Sequence, residues 1–230
     1  MIPTTIGDVK DSPKDQIAPS NLMLTIGLNH FIVENLKTTR RFLRKLDPKF
    51  DIDNSTFSVL NKHTKINDIS AFLQPCRDGE NVGLISEAGC PGIADPGTNI
   101  VSIAHKENIK VVPLIGPSSI FMALMASGLS GQNFCFHGYL PIDKALRIKK
   151  IKQLGLSSNN GTSQIFMETP FRNDSLLADL LSHCKEDTKL CIASNISNSN
   201  EMIKTLTVEN WKKNIPFLNK KPSIFILGKD

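Results

Sequence analysis

At 230 residues, with 40% hydrophobic and 21% charged residues, the chain has the composition of a folded soluble protein with one large or two small cores. These values exclude a disordered chain, which would have fewer apolar residues and a higher net charge. The formal net charge of +5 favours an anionic partner. RNA, a polycarboxylate and a phosphorylated metabolite are all compatible with this charge.

The five cysteines are an odd number without a Cys-x-x-Cys pair, so they support neither a disulfide framework nor a zinc ribbon. The longest apolar run, residues 120–126, is too short to span a bilayer, and the N-terminus lacks the apolar run of a signal peptide. We therefore expect a cytoplasmic protein with no membrane role. No metal site is expected either, because the histidines are far apart and show no metal-ligand spacing. They are His30, His63, His105, His137 and His183.

In the first half of the chain, short apolar runs alternate with helical patterns, which predicts an α/β fold with largely parallel strands. The predicted strands are 30–33, 56–60, 82–85 and 111–114, and the predicted helices are 34–46, 66–73 and 99–107. Residues 115–119 then lead into a further helix that ends at about residue 126.

The same alternation continues in the second half. The predicted strands are 133–137, 164–167, 189–194, 202–206 and 223–227, the predicted helices are 143–154 and 172–184, and a polar linker precedes the last strand. Two prolines that bracket a glycine in residues 113–117 would interrupt any regular element. We therefore place a domain boundary there, between domains 1–115 and 116–230.

Residues 83–97 form the most informative segment, because an apolar strand runs into three glycines, two prolines and the carboxylates Glu87 and Asp95. Bare main chain can approach a small molecule closely, and open α/β sheets bind ligands at the carboxyl ends of their strands. The pattern predicts a ligand loop. Asp95-Pro96-Gly97 is equally consistent with a cap on the next helix.

Two further polar loops have the same placement. Gly116-Pro117-Ser118-Ser119 begins a helix, where it would bind an anion or simply cap that helix. Glu168-Thr169-Pro170 directly follows a predicted strand. Three such loops indicate one cleft.

Two helical segments are basic. The first has Lys37, Arg40, Arg41, Arg44 and Lys45 beside an apolar stripe of Leu36, Leu43 and Leu46. The second has Lys144, Arg147, Lys149, Lys150 and Lys152 beside Leu146, Ile148, Ile151 and Leu154. Each is explained either as a solvated face of an amphipathic helix or as a surface that contacts phosphates.

These motifs resemble those of the tetrapyrrole methylase superfamily, the class III S-adenosylmethionine-dependent methyltransferases. The closest likeness is to the branch of ribosomal RNA small subunit methyltransferase I, which methylates a ribose 2′-hydroxyl. Its loop Ser-Asp/Glu-Ala-Gly-x-Pro-x-Ile-x-Asp-Pro-Gly is matched at 86–97, Pro-x-x-Gly-Pro-Ser at 113–118 and Glu-[ST]-Pro-x-Arg at 168–172. Residues 3–8 are similar to its Thr-Pro-Ile-Gly-Asn loop.

The resemblance implies two α/β domains with S-adenosylmethionine in the cleft between them, and a homodimer. It implies cofactor contacts at Pro3, Ser86, Glu87, Ala88, Gly89, Cys90, Pro91, Ile93, Ala94, Ser118, Ser119, Met167, Ala193, Asn195 and Pro222. If the acceptor is a hydroxyl, a base must take its proton, and the candidates are Glu87 and Glu34. Asp95 and Glu168 would orient loops.

The chain departs from the branch at two places. Glu34-Asn35-Leu36-Lys37 stands where the branch has Glu-Asp-Thr-Arg, and only Met1 and Ile2 precede Pro3 where the family has a strand. Two other functions are therefore compatible with the sequence. One is C-methylation of a tetrapyrrole, and the other is a non-catalytic cofactor-binding module that docks on RNA or another partner.

Overall fold

The computed structural model describes residues 1–7, 15–61 and 64–229. Asp8 of the predicted N-terminal loop and His63 lie outside them. The chain divides into two compact units, unit 1 (Met1–Ser118) and unit 2 (Ser119–Asp230). The boundary lies at Ser118, whereas the predicted one lies at residue 115.

Unit 1 is built on a three-stranded parallel sheet. Its central strand β1 (His30–Val33) pairs with β2 (Thr56–Val59) on one side and with β3 (Val82–Ile85) on the other. The helices are α1 (Pro19–Ile26), α2 (Leu36–Leu46), α3 (Ile66–Ile69), α4 (Gln74–Arg77) and α5 (Gly97–Lys106), with a 3₁₀ turn at Ser70–Leu73. Helix α1 is absent from the sequence prediction, and the predicted helix 66–73 is α3 followed by the 3₁₀ turn.

Both faces of this sheet are covered. Phe31 and Val33 of β1 pack with Leu43 of α2, whereas Ile32 points to the other face and packs with Ile100 of α5. Because helices bury both faces, the strands have continuous apolar sequences.

The predicted strand 111–114 does not form, and the prediction is wrong there. Met1 and Ile2 lie beside β3: the Ile2 amide donates to the Leu84 carbonyl (2.8 Å), and the Leu114 amide donates to the Met1 carbonyl (3.1 Å). Among the described residues, the segment 111–114 thus makes single hydrogen bonds with Met1 instead of a strand ladder.

Gly116 packs directly against Pro3. A Cβ atom at position 116 would lie 2.1 Å from the Pro3 Cβ, and the rigid proline ring cannot move aside as a flexible side chain would. We expect Gly116→Ala to destabilise unit 1 by about 1–3 kcal/mol through overpacking. Thermal melts followed by circular dichroism measure this. Gly131→Ala is the control, since a Cβ at that position meets nothing within 4 Å; equal melting temperatures for the two variants would contradict the prediction.

Unit 2 is a five-stranded sheet in the order β4-β5-β8-β6-β7. Its strands are β4 (Phe134–Tyr139), β5 (Ser163–Glu168), β6 (Lys189–Ser194), β7 (Met202–Thr207) and β8 (Ser223–Gly228). Its helices are α6 (Ser119–Ser127), α7 (Lys144–Ser158), α8 (Asn173–His183) and α9 (Val208–Lys213). The sequence prediction missed α9, which lies in the segment predicted as a polar linker.

The α/β class is confirmed, but the expectation of largely parallel strands is correct only for unit 1. In unit 2, β4 and β5 are parallel, whereas β5 with β8, β8 with β6, and β6 with β7 are antiparallel. A short connection joins β6 to β7, and such a connection permits only antiparallel pairing. A central strand that is covered on both faces has an apolar sequence whether its neighbours are parallel or antiparallel. The hydrophobic pattern therefore does not distinguish parallel from antiparallel pairing.

Helix α7 corrects the assignment of Arg147 and Leu146 to the two faces of the second basic helix. Arg147 is buried and pairs with Asp179 of α8 (Nη2 to Oδ2, 2.6 Å), while its Nη1 donates to the Ile142 carbonyl (3.1 Å). The buried face of α7 consists of Arg147, Ile151, Leu154 and Ser158, whereas Leu146, assigned to the apolar stripe, is exposed. Arg147 therefore joins α7 to α8 and does not face solvent.

Candidate functional site

The loop that follows β3 has an unusual backbone path. Gly89, Gly92 and Ala94 have positive φ angles of 67°, 85° and 62°. The Asp95 carboxylate fixes this path, because its Oδ2 accepts from the Gly92 amide (2.8 Å) and its Oδ1 from the Gly97 amide at the start of α5 (2.7 Å). Asp95 thus orients the loop. It also accepts a hydrogen bond from the first residue of α5, so the alternative of a cap on this helix holds as well.

Glu34 and Glu87 meet because β1 and β3 are adjacent parallel strands. Glu34 follows β1 and Glu87 follows Ser86 at the end of β3, so both lie at the carboxyl edge of the sheet. The Glu87 amide donates to the Glu34 Oε2 atom (3.2 Å). The two predicted catalytic carboxylates are therefore neighbours.

Helix α2 adds a hydroxyl to this pair. Asn35 is its N-cap, and the Asn35 Oδ1 atom accepts from the amides of Lys37 (3.0 Å) and Thr38 (3.3 Å). The Thr38 hydroxyl in turn donates to Glu87 Oε1. Asparagine caps a helix as well as aspartate does, so the departure at Asn35 preserves this local geometry.

The surroundings of Glu34 change its acidity. Partial burial raises the pKa of this carboxyl above its ordinary value, the hydrogen bond from the Glu87 amide opposes that shift, and the nearby charges of Asp95 and Glu87 reinforce it. A carboxylate with a raised pKa is a stronger base than an exposed glutamate.

These groups line a cavity of about 710 Å³. Its wall consists of Glu34, Asn35, Asn61, Glu87, Ala94, Asp95, Pro96 and Thr98. Three carboxylates on one wall can accept hydrogen bonds or a proton from a neutral donor, and they repel anions. Sequence analysis missed Asn61 and Thr98 as lining residues, although Asn61 closely follows β2 and so lies at the same edge as Glu34 and Glu87.

The tip of the loop is tied to two other segments of unit 1. The Thr4 amide donates to the Gly89 carbonyl (2.9 Å), and the Cys90 thiol donates to the Pro117 carbonyl (Sγ to O, 3.3 Å). Burial raises the pKa of the Cys90 thiol, so it stays protonated at neutral pH. Unit 1 thus brings together the predicted cofactor residues of three segments, which are Pro3, Ser86, Glu87, Ala88, Gly89, Cys90, Pro91, Ile93, Ala94 and Ser118.

The other predicted cofactor residues belong to unit 2, and four of them lie at or near one end of the central strands β5, β6 and β8. Met167 and Ala193 lie in register with Ile224 on opposite sides of β8. The Asn195 amide donates to the Pro222 carbonyl (2.9 Å). Ser119 begins α6, which packs on the face that contains Ala193 and Ile224.

Glu168 orients the loop that follows β5. Its Oε1 atom accepts from the Thr169 amide (2.6 Å) and from Nη2 of Arg172 (2.5 Å). Its Oε2 atom is buried and has no hydrogen-bond partner in the part of the chain that the structure describes.

Three of the histidines have structural contacts. His30 bonds Thr56, His137 bonds Gln164, and His183 bonds the Asp179 carbonyl. Over residues 1–7, 15–61 and 64–229 no group of three or more His, Cys, Asp or Glu side chains is arranged to hold a metal ion. In the same residues, no helix has the length and apolar character needed to cross a membrane.

Residues 29–211 match the family of Tetrapyrrole (Corrin/Porphyrin) Methylases. The chain belongs to this family. The resemblance drawn from the motifs is thereby confirmed.

Relatives in this family are named ribosomal RNA small subunit methyltransferase I. The protein of Vibrio cholerae is 30% identical over 203 residues, which are 88% of this chain and 66% of that protein. The protein of Buchnera aphidicola subsp. Schizaphis graminum is 30% identical over 230 residues, which are 99% of this chain and 76% of that protein. The match therefore leaves about a third of the Vibrio protein uncovered.

The solved structure of the methyltransferase CobJ is similar to this chain, with a TM-score of 0.63 and 13% identity, over 94% of this chain and 89% of that one. Cobalt precorrin-4 methyltransferase CbiF has a TM-score of 0.57 and 14% identity, over 93% and 89%. These similarities confirm the tetrapyrrole methylase fold.

Proposed function

We propose that the chain is an S-adenosylmethionine-dependent methyltransferase that acts on a ribose 2′-hydroxyl of small-subunit ribosomal RNA, in the cytoplasm and as a homodimer. Family membership and the names of the relatives support methyl transfer and RNA as the acceptor. The observation that carries the proposal is the contact of Glu34 with Glu87 at the wall of an acidic cavity, beside the loop at 86–97. The domains 1–115 and 116–230 remain part of this proposal.

Unit 1 has features that fit S-adenosylmethionine. The Ser86 side chain is buried, and its hydroxyl has no hydrogen-bond partner among the described residues. A buried hydroxyl without a partner costs free energy, which a polar ligand group would recover. Gly89, Gly92 and Ala94 of the same loop have positive φ angles, and two of these residues are glycines, whose missing side chains allow a ligand to approach the main chain closely.

The proposed cofactor contacts are those named from the motifs. In unit 1 they are Pro3, Ser86, Glu87, Ala88, Gly89, Cys90, Pro91, Ile93, Ala94 and Ser118, and in unit 2 they are Ser119, Met167, Ala193, Asn195 and Pro222. When bound, S-adenosylmethionine supplies a methyl group on a positively charged sulfur and leaves as a neutral thioether.

The protein's own residues would align the acceptor and take its proton. Glu34 is the proposed base: as the acceptor oxygen bonds to the methyl carbon, its O–H bond breaks and the proton moves to a Glu34 carboxylate oxygen. Glu87, held by the Thr38 hydroxyl and joined to Glu34 through its amide, keeps that carboxylate in place. Asp95 holds the loop, and the carboxylates together offset the positive charge of the donor.

The charge of the cavity favours a hydroxyl over a tetrapyrrole. Tetrapyrrole substrates carry several carboxylates, and a wall with Glu34, Glu87 and Asp95 would repel them. A ribose hydroxyl is neutral and can donate its proton to that wall.

The proposal is tested by incubating the protein with S-adenosylmethionine labelled in its methyl group. Small ribosomal subunits, naked ribosomal RNA, a mixture of proteins and a tetrapyrrole are supplied as separate acceptors. We expect label in RNA, either free or within the subunit. Label only in the tetrapyrrole would establish the alternative C-methyltransferase, and RNA binding without label in any acceptor would support the non-catalytic module.

A further inference from the structure

The excess positive charge of this chain is concentrated on one helix. Helix α2 contains five of the 27 Lys and Arg residues and none of the 22 Asp and Glu residues. The rest of the chain therefore has 22 residues of each sign. The net charge of +5 is not a general property of the surface, and it equals the charge of this eleven-residue helix.

The five cations form one continuous stripe. Lys37, Arg40, Arg41, Arg44 and Lys45 are exposed and follow the spacing i, i+3, i+4, i+7 and i+8. The opposite face consists of Thr39, Phe42, Leu43 and Leu46, which are buried. At 1.5 Å per residue the helix is about 16 Å long, so this stripe, the α2 stripe, is long enough to contact more than one phosphate of a nucleic-acid strand.

Three of the five cations of the stripe make no ion pair with the part of the protein that the structure describes. Among the described residues, Lys37, Arg40 and Arg41 have no carboxylate within ion-pair distance. The Arg40 guanidinium instead lies 5.3 Å from the centre of the Phe57 ring, and Arg44 Nη1 donates to the Pro48 carbonyl (2.7 Å). These contacts hold the side chains of Arg40 and Arg44 in place, and neither contact neutralises the positive charge of the guanidinium group.

The stripe begins at the acidic cavity. Thr38, in the first turn of α2, donates to Glu87 of the cavity wall. Arg41 is three residues beyond Thr38 and therefore lies on the same side of the helix, one turn away. An anion-repelling cavity and an anion-attracting stripe are adjacent.

The geometry points to the α2 stripe as the surface that binds the RNA phosphates flanking the acceptor ribose. An RNA strand has neutral hydroxyls between anionic phosphates, so it satisfies both regions at once: the hydroxyl enters the acidic cavity and the phosphates contact the cations. This inference rests on the proposed function. It adds the direction in which the strand leaves the site, along α2 from Lys37 towards Lys45.

The test compares two triple variants of the full chain with equal loss of charge. Lys37→Gln/Arg40→Gln/Arg41→Gln removes three cations from the α2 stripe. Lys144→Gln/Lys149→Gln/Lys152→Gln removes three exposed cations from α7 and is the control. Glutamine is nearly as good a helix former as lysine and arginine, so both variants should fold, and thermal melts and S-adenosylmethionine titrations verify it.

Binding is measured with a fluorescently labelled single-stranded RNA over a range of salt concentrations, and the KM for small ribosomal subunits is measured in parallel. Each lost phosphate contact lowers the salt slope by about 0.7, so the α2 variant should lose about 2 from its slope and bind on the order of a hundredfold more weakly at ~0.1 M salt. The α7 variant should differ little from the parent chain.

The possible failures are distinct. If both variants lose affinity equally, or if the α2 variant keeps the parent KM on an RNA that it methylates, the α2 stripe is not the binding surface, although the proposed function stands. If the parent chain neither binds RNA nor transfers methyl groups to it, the proposed function and the inference both fail.

Discussion

Glu34→Gln is expected to lower the turnover of methyl transfer by about 10²–10⁴-fold, because glutamine cannot take the proton of the acceptor hydroxyl. The side-chain oxygen of glutamine still accepts a hydrogen bond, so the contact with the Glu87 amide should persist and S-adenosylmethionine affinity should change little. Single-turnover rates and cofactor titrations on the same preparation separate the two effects.

The pH dependence of this variant has a defined sign. In the wild type the rate should rise with pH through the pKa of Glu34, which burial and neighbouring carboxylates raise above the ordinary glutamate value, and the variant should lack that rise. A folded-state pKa that is raised means that the charged form costs stability, so wild-type stability falls as pH increases from the ordinary value through the raised one. Glu34→Gln should therefore be at least as stable as the wild type at neutral pH.

Glu209→Gln, at an exposed position in α9, is the control for loss of one carboxylate. If Glu34→Gln retains wild-type turnover and its pH profile, Glu34 is not the base. Glu87 would then be the remaining carboxylate for that role.

Asp179→Ala is expected to destabilise unit 2 by about 3–5 kcal/mol, because it leaves the buried Arg147 guanidinium without its partner. Replacing both partners with apolar residues, as in Arg147→Met/Asp179→Leu, should recover most of that loss. The chain has one tryptophan, Trp211, which is buried in unit 2 and donates to the Leu190 carbonyl (2.8 Å). Urea unfolding followed by its fluorescence therefore reports on this unit.

The matched control for that experiment is an exposed ion pair. Glu186 and Lys212 are in contact at 3.0 Å, but both are largely solvated, so Glu186→Ala should leave the unfolding midpoint almost unchanged. If Asp179→Ala shifts the midpoint no more than Glu186→Ala does, the buried pair is not a structural requirement of unit 2.

Strand positions are predicted best from sequence where a short apolar run coincides with a complete strand of the fold. The strands at 30–33, 82–85 and 189–194 are found with the predicted bounds, because each is a short apolar run bounded by polar or turn residues. The proximity of Glu34 and Glu87 is consistent with the sequence, since Glu34 directly follows β1, Glu87 is the second residue after β3, and a parallel sheet places these strand ends side by side.

Other features depend on tertiary contacts that no local pattern contains. The sequence groups Arg147 with the lysines of α7, because no local pattern indicates that Asp179, 32 positions away, will pair with it. The role of Thr38 is not visible in the sequence, because its hydrogen-bond partner Glu87 lies 49 positions along the chain. The insertion of β8 between β5 and β6 is likewise a matter of topology, because its apolar sequence fits a parallel or an antiparallel neighbour equally well.

The most direct test of the central proposal is to identify the methylated atom. Small ribosomal subunits or their RNA are incubated with the protein and labelled S-adenosylmethionine, the RNA is digested to nucleosides, and the labelled nucleoside is identified by mass spectrometry. The proposed function predicts label in a 2′-O-methylnucleoside, and its loss with Glu34→Gln. Label on a base, label only in an added tetrapyrrole, or no label in any RNA would contradict it.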